Sequence, residues 1–335
     1  MNDALIQKAY ALHRAGRMAE AAQLYQDVLR TEPTQKDALF FLGLLHLQRA
    51  DFEAALGCYN RLIAADANNA DAHLARGTAL SNLGRHAEAL AAYDRAVTLK
   101  AGHTVVWNHR GNALLELARY ADALQSYDRA ISLKPDYAEA WRHRGIAALQ
   151  AGLIEDALAS FDKAIALNPD DAVAREERGN LFMRLHRHAE AVADYDRVLA
   201  GRSGSPDLFY NRANAQSILK NYAAAIRDCE RALDLSPDYP YARGVLVHSK
   251  LQSCEWSGLD EQKAEISASL AAGKPVISPF NLKALSDSPE EQMQCARIWT
   301  ARECPPSAPL WRGEHYNHDR IRIAYVSADL NTSAV

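Results

Sequence analysis

The sequence has little cysteine, no surplus of basic residues and no long apolar run. Its five cysteines are odd in number and show no metal-ligand spacing, so we expect reduced thiols rather than a disulfide framework. The formal net charge of −4 leaves no cationic surplus to neutralise phosphates, which argues against a nucleic-acid partner. No run approaches the roughly 20 apolar residues that a membrane-spanning helix needs.

The N-terminus also lacks the basic and apolar regions of a signal peptide. The twelve histidines are scattered, and the close pairs His186 with His188 and His315 with His318 are interpreted as surface residues rather than metal ligands. We therefore expect a cytoplasmic protein that uses no metal and no cofactor and does not contact a membrane.

A period of 34 residues runs from Asn2 to Tyr239 without insertion or deletion. It gives seven repeats, which are 2–35, 36–69, 70–103, 104–137, 138–171, 172–205 and 206–239. Position 8 of the repeats holds Ala9, Gly43, Gly77, Gly111, Gly145, Gly179 and Ala213. A fixed period of this length indicates stacked helical pairs. Such a solenoid presents a long concave surface and seldom carries catalysis itself.

Two further positions complete the repeat pattern. Position 20 holds Ala21, Ala55, Ala89, Ala123, Ala157, Ala191 and Ala225, and position 24 holds Tyr25, Tyr59, Tyr93, Tyr127, Phe161, Tyr195 and Cys229. Small residues at positions 8 and 20 let two antiparallel helices approach, and the ring at position 24 fills the gap to the next repeat. Proline at position 32 in four repeats ends the second helix. The pattern resembles the tetratricopeptide repeat, which implies an all-α, right-handed superhelix of seven repeats.

A charge pattern accompanies the last five repeats. Position 7 holds Arg76, Arg110, Arg144, Arg178 and Arg212, and position 25 holds Asp94, Asp128, Asp162, Asp196 and Glu230. We interpret these residues as charge pairs within or between repeats, with a structural role. The alternative is that they are unrelated solvated charges.

The inner surface of such a superhelix is formed by positions 2, 5, 9 and 12 of the first helices. Position 5 holds Ile6, Phe40, Leu74, Asn108, Arg142, Glu176 and Tyr210, and position 9 holds Tyr10, Leu44, Thr78, Asn112, Ile146, Asn180 and Asn214. Side-chain amides can both donate to and accept from a peptide backbone. We therefore predict that repeats four to seven bind extended polypeptide, with a candidate site of Asn108, Asn112, Arg142, Asn180, Tyr210 and Asn214. The alternative is a solvated helix face.

Two other surfaces of the groove bear on its partners. Position 2 is mostly acidic, as in Asp3, Asp37 and Asp71, and such an edge would repel a C-terminal carboxylate. The first repeats are apolar at positions 5 and 9. This part could contact a second copy of the protein, giving a homo-oligomer, or bind an amphipathic helix, and the sequence does not rank the two.

The residues after the repeats predict three more helices, at about 241–251, 260–272 and 288–302, with a loop at 278–282. The alternating, β-branched segment 321–329 predicts a strand. The predicted organisation is seven repeats over 2–239, a capping helix over 240–258, a helical connector over 259–310 and the start of a truncated α/β domain over 311–335.

Several short motifs occur together after the repeats. They are Cys254-Glu255-Trp256, Ser278-Pro279-Phe280, Leu285-Ser286-Asp287-Ser288-Pro289 and Arg322-Ile323-Ala324-Tyr325-Val326-Ser327-Ala328-Asp329. Together with the repeats, this order resembles the bacterial relatives of protein O-linked N-acetylglucosamine transferase. The resemblance implies a solenoid that recruits protein substrates to two Rossmann-like lobes, which transfer a sugar from a UDP-sugar to Ser or Thr. The UDP-binding lobe is missing from this chain, so no transferase activity is expected from these residues alone.

One departure from that family concerns its active-site histidine, whose position holds Ser333 here. A serine hydroxyl cannot act as a base near neutral pH as imidazole can, so we assign no catalytic residue. Two interpretations of function stay open. One is the protein-recruiting region of a UDP-N-acetylglucosamine-dependent glycosyltransferase. The other is a non-enzymatic tetratricopeptide scaffold for protein–protein interaction.

Overall fold

A computed structural model of the chain describes residues 2–201 and 204–304. Within those residues it contains 18 helices and no strand. The predicted strand at 321–329, and the whole segment 311–335 assigned to an α/β domain, lie outside the described residues. Two compact units divide the chain, Met1–Trp256 and Ser257–Val335, and each is described by itself.

The first unit contains seven helical hairpins, one for each repeat, and one further helix. The hairpin helices are α1 (Asn2–Arg14), α2 (Met18–Thr31), α3 (Lys36–Gln48), α4 (Phe52–Ala65), α5 (Ala70–Asn82), α6 (His86–Leu99), α7 (Thr104–Glu116), α8 (Tyr120–Leu133), α9 (Ala138–Gln150), α10 (Ile154–Leu167), α11 (Ala172–Arg184), α12 (His188–Gly201), α13 (Pro206–Ile218) and α14 (Tyr222–Leu235). Helix α15 (Ala242–Gln252) follows and packs on α13 and α14, at the place predicted for a cap.

Each helix packs on its hairpin partner and on the next helix along the chain. Successive first helices also touch one another, from α1 to α9 and from α11 to α15. Crowding of the first helices on one side makes them the inner face of the stack, as the repeat pattern predicts. The all-helical repeat fold is therefore confirmed, with every predicted repeat present as a hairpin.

The glycine at position 8 leaves room for the ring at position 24 of the same repeat. A Cβ atom added at Gly43 would lie 2.7 Å from Cζ of Tyr59, and one added at Gly111 would lie 2.5 Å from Cε1 of Tyr127. Both rings are fully buried. The seventh repeat combines Ala213 with the smaller Cys229, whereas the first repeat combines Ala9 with Tyr25.

The same ring also joins its repeat to the next one. Tyr25 stacks on Phe41 with ring centroids 6.0 Å apart, and Tyr93 stacks on His109 at 5.8 Å. Phe41 and His109 both occupy position 6, a column that the sequence pattern did not identify. Aromatic stacking of this kind adds to the stabilisation from buried area.

In the four repeats with proline at position 32, the second helix ends just before that proline. Helix α8 ends at Leu133, the backbone N–H of Lys134 donates to the carbonyl of Ala130 (3.0 Å), and Pro135 follows. Proline has no N–H with which to continue the helix, so the chain turns there into the next repeat.

The predicted charge pairs form between repeats. Each position-7 arginine donates to position 25 of the preceding repeat, as in Arg110 to Asp94 (2.7 Å), Arg144 to Asp128 (2.7 Å), Arg178 to Asp162 (2.5 Å) and Arg212 to Asp196 (2.6 Å). Arg76 donates to Asn60 (2.9 Å), so the first step of the series uses an amide. The charge-pair hypothesis is confirmed for Arg110, Arg144, Arg178 and Arg212, each of which pairs with the acid of the preceding repeat.

Four of these arginines also bind position 23 of their own repeat, whereas Arg76 has Ala92 at that position. Arg144 donates to Oγ of Ser160 (2.8 Å), whereas Arg178 grips Asp194 through Nε (2.8 Å) and Nη2 (2.7 Å). Asp194 is only 4 % exposed, and its carboxylate helps raise the pKa of Arg178. The arginine column thus ties two repeats together, and its second partner was not predicted.

The described part of the second unit contains three helices, α16 (Leu259–Ala271), α17 (Pro279–Leu282) and α18 (Pro289–Glu303). Helices α16 and α18 lie within a residue of the predicted positions, and both α16 and α17 pack on α18. The loop predicted at 278–282 is wrong, because α17 forms there. Ser278 Oγ accepts from the N–H of Asn281 (3.3 Å), and Pro279 suits a first helical turn.

Two negative findings apply to the described residues alone. No helix there combines the length and the apolar character needed to cross a bilayer. No three His, Cys, Asp or Glu side chains there come together as a set that could hold a metal ion.

Candidate peptide-binding groove

We define the C-terminal groove as the inner faces of α7, α9, α11 and α13, the first helices of repeats four to seven. Its edge at position 2 carries two exposed valines, Val105 (39 % exposed) and Val173 (42 % exposed). Its floor at position 9 holds half-buried side chains, among them Asn112 and Asn180. The surface therefore offers both apolar contacts and amide groups.

Two of the groove asparagines are held by buried tyrosines. The hydroxyl of Tyr127 donates to Oδ1 of Asn112 (2.7 Å), and that of Tyr195 donates to Oδ1 of Asn180 (2.8 Å). Burial raises the pKa of both tyrosines, so their hydroxyls stay protonated donors at neutral pH. Because each amide oxygen is engaged from below, the –NH₂ group of each asparagine is the part left to face a ligand.

Asn214 occupies the same position in the seventh repeat but has no tyrosine beneath it. Cys229 stands at position 24 there, and the Asn214 side chain makes no hydrogen bond to the described residues. Beside it, Asn211 donates to the oxygen of Asn180 (3.1 Å). The half-buried amide of Asn214 is therefore uncommitted as donor and as acceptor.

Asn108, in contrast, is fully buried. Its Nδ2 lies 3.5 Å from Glu139 Oε1, and its Oδ1 lies 3.3 Å from Nδ1 of His143. The helical spacing placed position 5 on the inner surface, but the Asn108 side chain is covered by the next repeat. Asn108 therefore contributes to the contact between repeats four and five.

Arg142 belongs to the same network between repeats. Its Nη1 lies 3.3 Å from both oxygens of Asp171, a buried residue whose Oδ1 also caps α11 by accepting from the N–H of Ala174 (3.0 Å). Burial and the neighbouring Arg142 charge lower the pKa of His143 to about 4, so this imidazole is neutral at pH 7. Arg142 thus stabilises the junction of repeats five and six, whatever else it binds.

Tyr210 lies at the C-terminal end of the groove. Its ring is half-buried and packs against Tyr239, with ring centroids 5.2 Å apart. The hydroxyl of Tyr239 donates to Asp207 (2.7 Å), which holds the pair in place. The structure therefore brings Asn112, Asn180, Tyr210 and Asn214 to the groove, and uses Asn108 and Arg142 in packing.

The pairing of positions 9 and 24 was not found from the sequence, although a signal for it exists. Asparagine at position 9 of repeats four and six accompanies tyrosine at position 24, whereas Ile146 accompanies Phe161, which has no hydroxyl. Comparing the two columns would have shown that these asparagines serve buried hydroxyls as well as the groove.

Comparisons with known proteins agree with this architecture. Family models described as tetratricopeptide repeat match residues 4–37, 40–104, 109–172 and 206–239. Together these matches cover more than half of the chain, which belongs to the tetratricopeptide repeat family. The sixth repeat, 172–205, is matched by none of them but forms the same hairpin as the others.

Solved structures show the same fold. A tetratricopeptide repeat protein from Parabacteroides merdae is 20 % identical, with a TM-score of 0.57 over 74 % of this chain and 98 % of that one. PilF of Pseudomonas aeruginosa is 24 % identical, with a TM-score of 0.56 over 60 % of this chain and 92 % of its own. No curated protein sequence matches the chain.

Proposed function

We propose that the C-terminal groove binds extended polypeptide by donating hydrogen bonds to its backbone carbonyls. The donors are the side-chain amides of Asn112, Asn180 and Asn214. The observation that carries the proposal is the bond from each buried tyrosine to the amide oxygen of Asn112 or Asn180. It orients the two –NH₂ groups before any ligand arrives, which lowers the entropy lost on binding.

Recognition of this kind is tolerant of sequence, since every residue of an extended chain carries a carbonyl. The exposed Val105 and Val173 supply apolar contacts that any aliphatic or aromatic side chain can use. The acidic residues at position 2, such as Glu139 and Asp207, disfavour a free C-terminal carboxylate. The preferred ligand is therefore an internal stretch of unfolded or loop polypeptide.

The test uses substitutions that keep the tyrosine partner and remove the donor. Asn112→Asp and Asn180→Asp retain an oxygen for the buried hydroxyl but lose both N–H groups. Each lost bond contributes about 1 kcal/mol, or roughly fivefold in Kd, so the double variant should bind blocked, unrelated peptides at least tenfold more weakly. Fluorescence anisotropy measures the affinity.

The matched control is Asn221→Asp, which changes an exposed asparagine in the turn between α13 and α14. Its affinity for the same peptides should equal that of the unsubstituted protein. If the double variant and the control bind alike, the asparagines do not hold the peptide and the proposal fails.

We further propose that the groove presents protein substrates to a glycosyltransferase that uses UDP-N-acetylglucosamine. The support is the set of motifs at 254–256, 278–280, 285–289 and 322–329. The test is sugar transfer to lysate proteins by the product of the complete gene. The Asn112→Asp/Asn180→Asp double variant should lose transfer to proteins but keep hydrolysis of the UDP-sugar. Peptide binding without any transfer or hydrolysis would instead indicate a non-enzymatic scaffold.

A further inference from the structure

The groove of the first three repeats differs in chemistry from the C-terminal groove. We define the N-terminal groove as the inner faces of α1, α3 and α5. Its floor is mostly apolar, with Tyr10 (39 % exposed), Phe40, Leu44 and Leu74 at positions 5 and 9, and Thr78 is the polar exception. Phe40 packs edge-on against the buried Tyr59, with ring centroids 6.1 Å apart. A ligand there buries apolar area but meets few hydrogen-bond partners.

Two buried hydroxyls lie beneath this floor without a partner. Tyr25 and Tyr59 are fully buried, and neither hydroxyl makes a hydrogen bond within the described residues. The equivalent hydroxyls of Tyr127 and Tyr195 are satisfied by polar side chains at position 9, which face the C-terminal groove. By the same register, the unsatisfied hydroxyls are directed towards position 9, where Leu44 has no polar atom and the Tyr10 hydroxyl makes no hydrogen bond to Tyr25. The floor above them is therefore apolar, and the two buried hydroxyls of Tyr25 and Tyr59 make no hydrogen bond.

The edge of the N-terminal groove is acidic. Asp3, Asp37 and Asp71 occupy position 2 of three successive repeats, and all three are exposed. Asp71 lies 4.0 Å from Lys100. Asp3 and Asp37 form no ion pair among the described residues. The edge thus carries negative charge that a positively charged ligand can neutralise.

We propose that the N-terminal groove binds an amphipathic helix of a partner protein, with an apolar face and a basic flank. A helix satisfies its backbone hydrogen bonds internally. An extended chain needs hydrogen-bond partners from the groove, and an apolar floor does not provide them. The apolar face covers Tyr10, Phe40 and Leu44, and the basic flank lies along Asp3 and Asp37. Apolar contact gives the affinity, and charge complementarity gives the orientation and the choice of partner.

A second copy of this chain is the weaker occupant. A twofold-symmetric dimer brings the same surface of both copies together, so the acidic edges of the two grooves would share one interface. Like charges there oppose association. The inference concerns different repeats and different ligand chemistry from the C-terminal groove, and it does not depend on the function proposed there.

The test measures binding of a synthetic amphipathic helix about 18 residues long, or five turns, with leucine on one face and lysine along its flank. The first variant is Leu44→Asn, which copies the residue found at this position in repeats four and six. It gives the Tyr59 hydroxyl a partner, so the fold is kept while the floor becomes polar. The second variant is Asp3→Lys/Asp37→Lys, which reverses the charge of the edge.

We expect each variant to weaken binding of the basic helix at least tenfold, with an unchanged or higher melting temperature for Leu44→Asn. The Asn112→Asp/Asn180→Asp variant should bind this helix normally, which separates the two grooves. Binding should also weaken as salt is raised. Equal affinity for a matched helix with glutamate in place of lysine would overturn the inference. So would a dimer in sedimentation experiments that Leu44→Asn dissociates, because a second copy would then be the occupant.

Discussion

Loss of Arg178 should destabilise the solenoid far more than loss of Arg144, although both occupy position 7. Replacing Arg178 with Met removes both bonds to Asp194, a carboxylate that is 4 % exposed. Breaking a buried ion pair from one side costs about 3–5 kcal/mol. Arg175, whose Nη1 lies 3.3 Å from the same carboxylate, remains, so we expect a value of about 3 kcal/mol, at the lower end of that range.

Arg144→Met should lower the free energy of unfolding less, because neither Asp128 nor Ser160 is left buried without a hydrogen-bond partner. Asp128 is 55 % exposed and becomes solvated, and Ser160 still donates its hydroxyl to the carbonyl of Asp156 (2.6 Å). The cost should be about 1 kcal/mol, the value of an ordinary hydrogen bond. The two substitutions are chemically identical, so the difference of about 2 kcal/mol reports on the buried Asp194, which keeps only Arg175 as an ion-pair partner.

Urea unfolding measures the two stabilities, and hydrogen exchange in α11 and α12 locates the loss, since repeat proteins can open locally. A third variant, Arg178→Met/Asp194→Leu, should recover most of the stability, because an apolar pair can replace a buried ion pair with little loss. Equal destabilisation by Arg178→Met and Arg144→Met would refute the reasoning, as would a double variant no more stable than Arg178→Met.

Three further predictions concern single sites. Gly111→Ala should cost about 1–3 kcal/mol in thermal unfolding, because Asn112 pins the Tyr127 ring that the new Cβ would meet. The folded chain lowers the pKa of His143 from 6.5 to about 4, so between these pH values the unfolded chain binds more protons than the folded one. The free energy of unfolding should therefore fall as the pH drops from 6.5 to about 4. His143→Gln should flatten this fall in urea titrations. A thiol reagent should modify the exposed Cys254 much faster than the buried Cys229, as mass spectrometry of labelled peptides would show.

The repeat pattern predicted the hairpins because a column of identical residues records a contact that recurs in every repeat. Glycine at position 8 meets the ring at position 24 in five repeats, and each arginine at position 7 meets position 25 of the preceding repeat. The length of a repeat also fixes the helix ends. The prediction was accurate where the same contact recurs from one repeat to the next.

The groove was harder to predict, because its residues differ between repeats. Helical spacing placed Asn108 on the inner surface, but that argument treats each helix alone. The side chain is instead covered by Glu139 and His143 of the next repeat. The loop expected at 278–282 was missed for a related reason, since Ser278 caps a helix of a single turn that is too short to show a period.

The most direct test of the account is to locate a bound peptide by site-specific photo-crosslinking. A photoreactive residue placed at the exposed Val173, on the edge of the C-terminal groove, should capture blocked peptides of unrelated sequence. The same residue at Ala159, an exposed position on the second helix α10, should capture little. Crosslinking from position 173 that disappears in the Asn112→Asp/Asn180→Asp background would support the groove as the binding site. Equal crosslinking from both positions, or none from position 173 at peptide concentrations that bind, would contradict it.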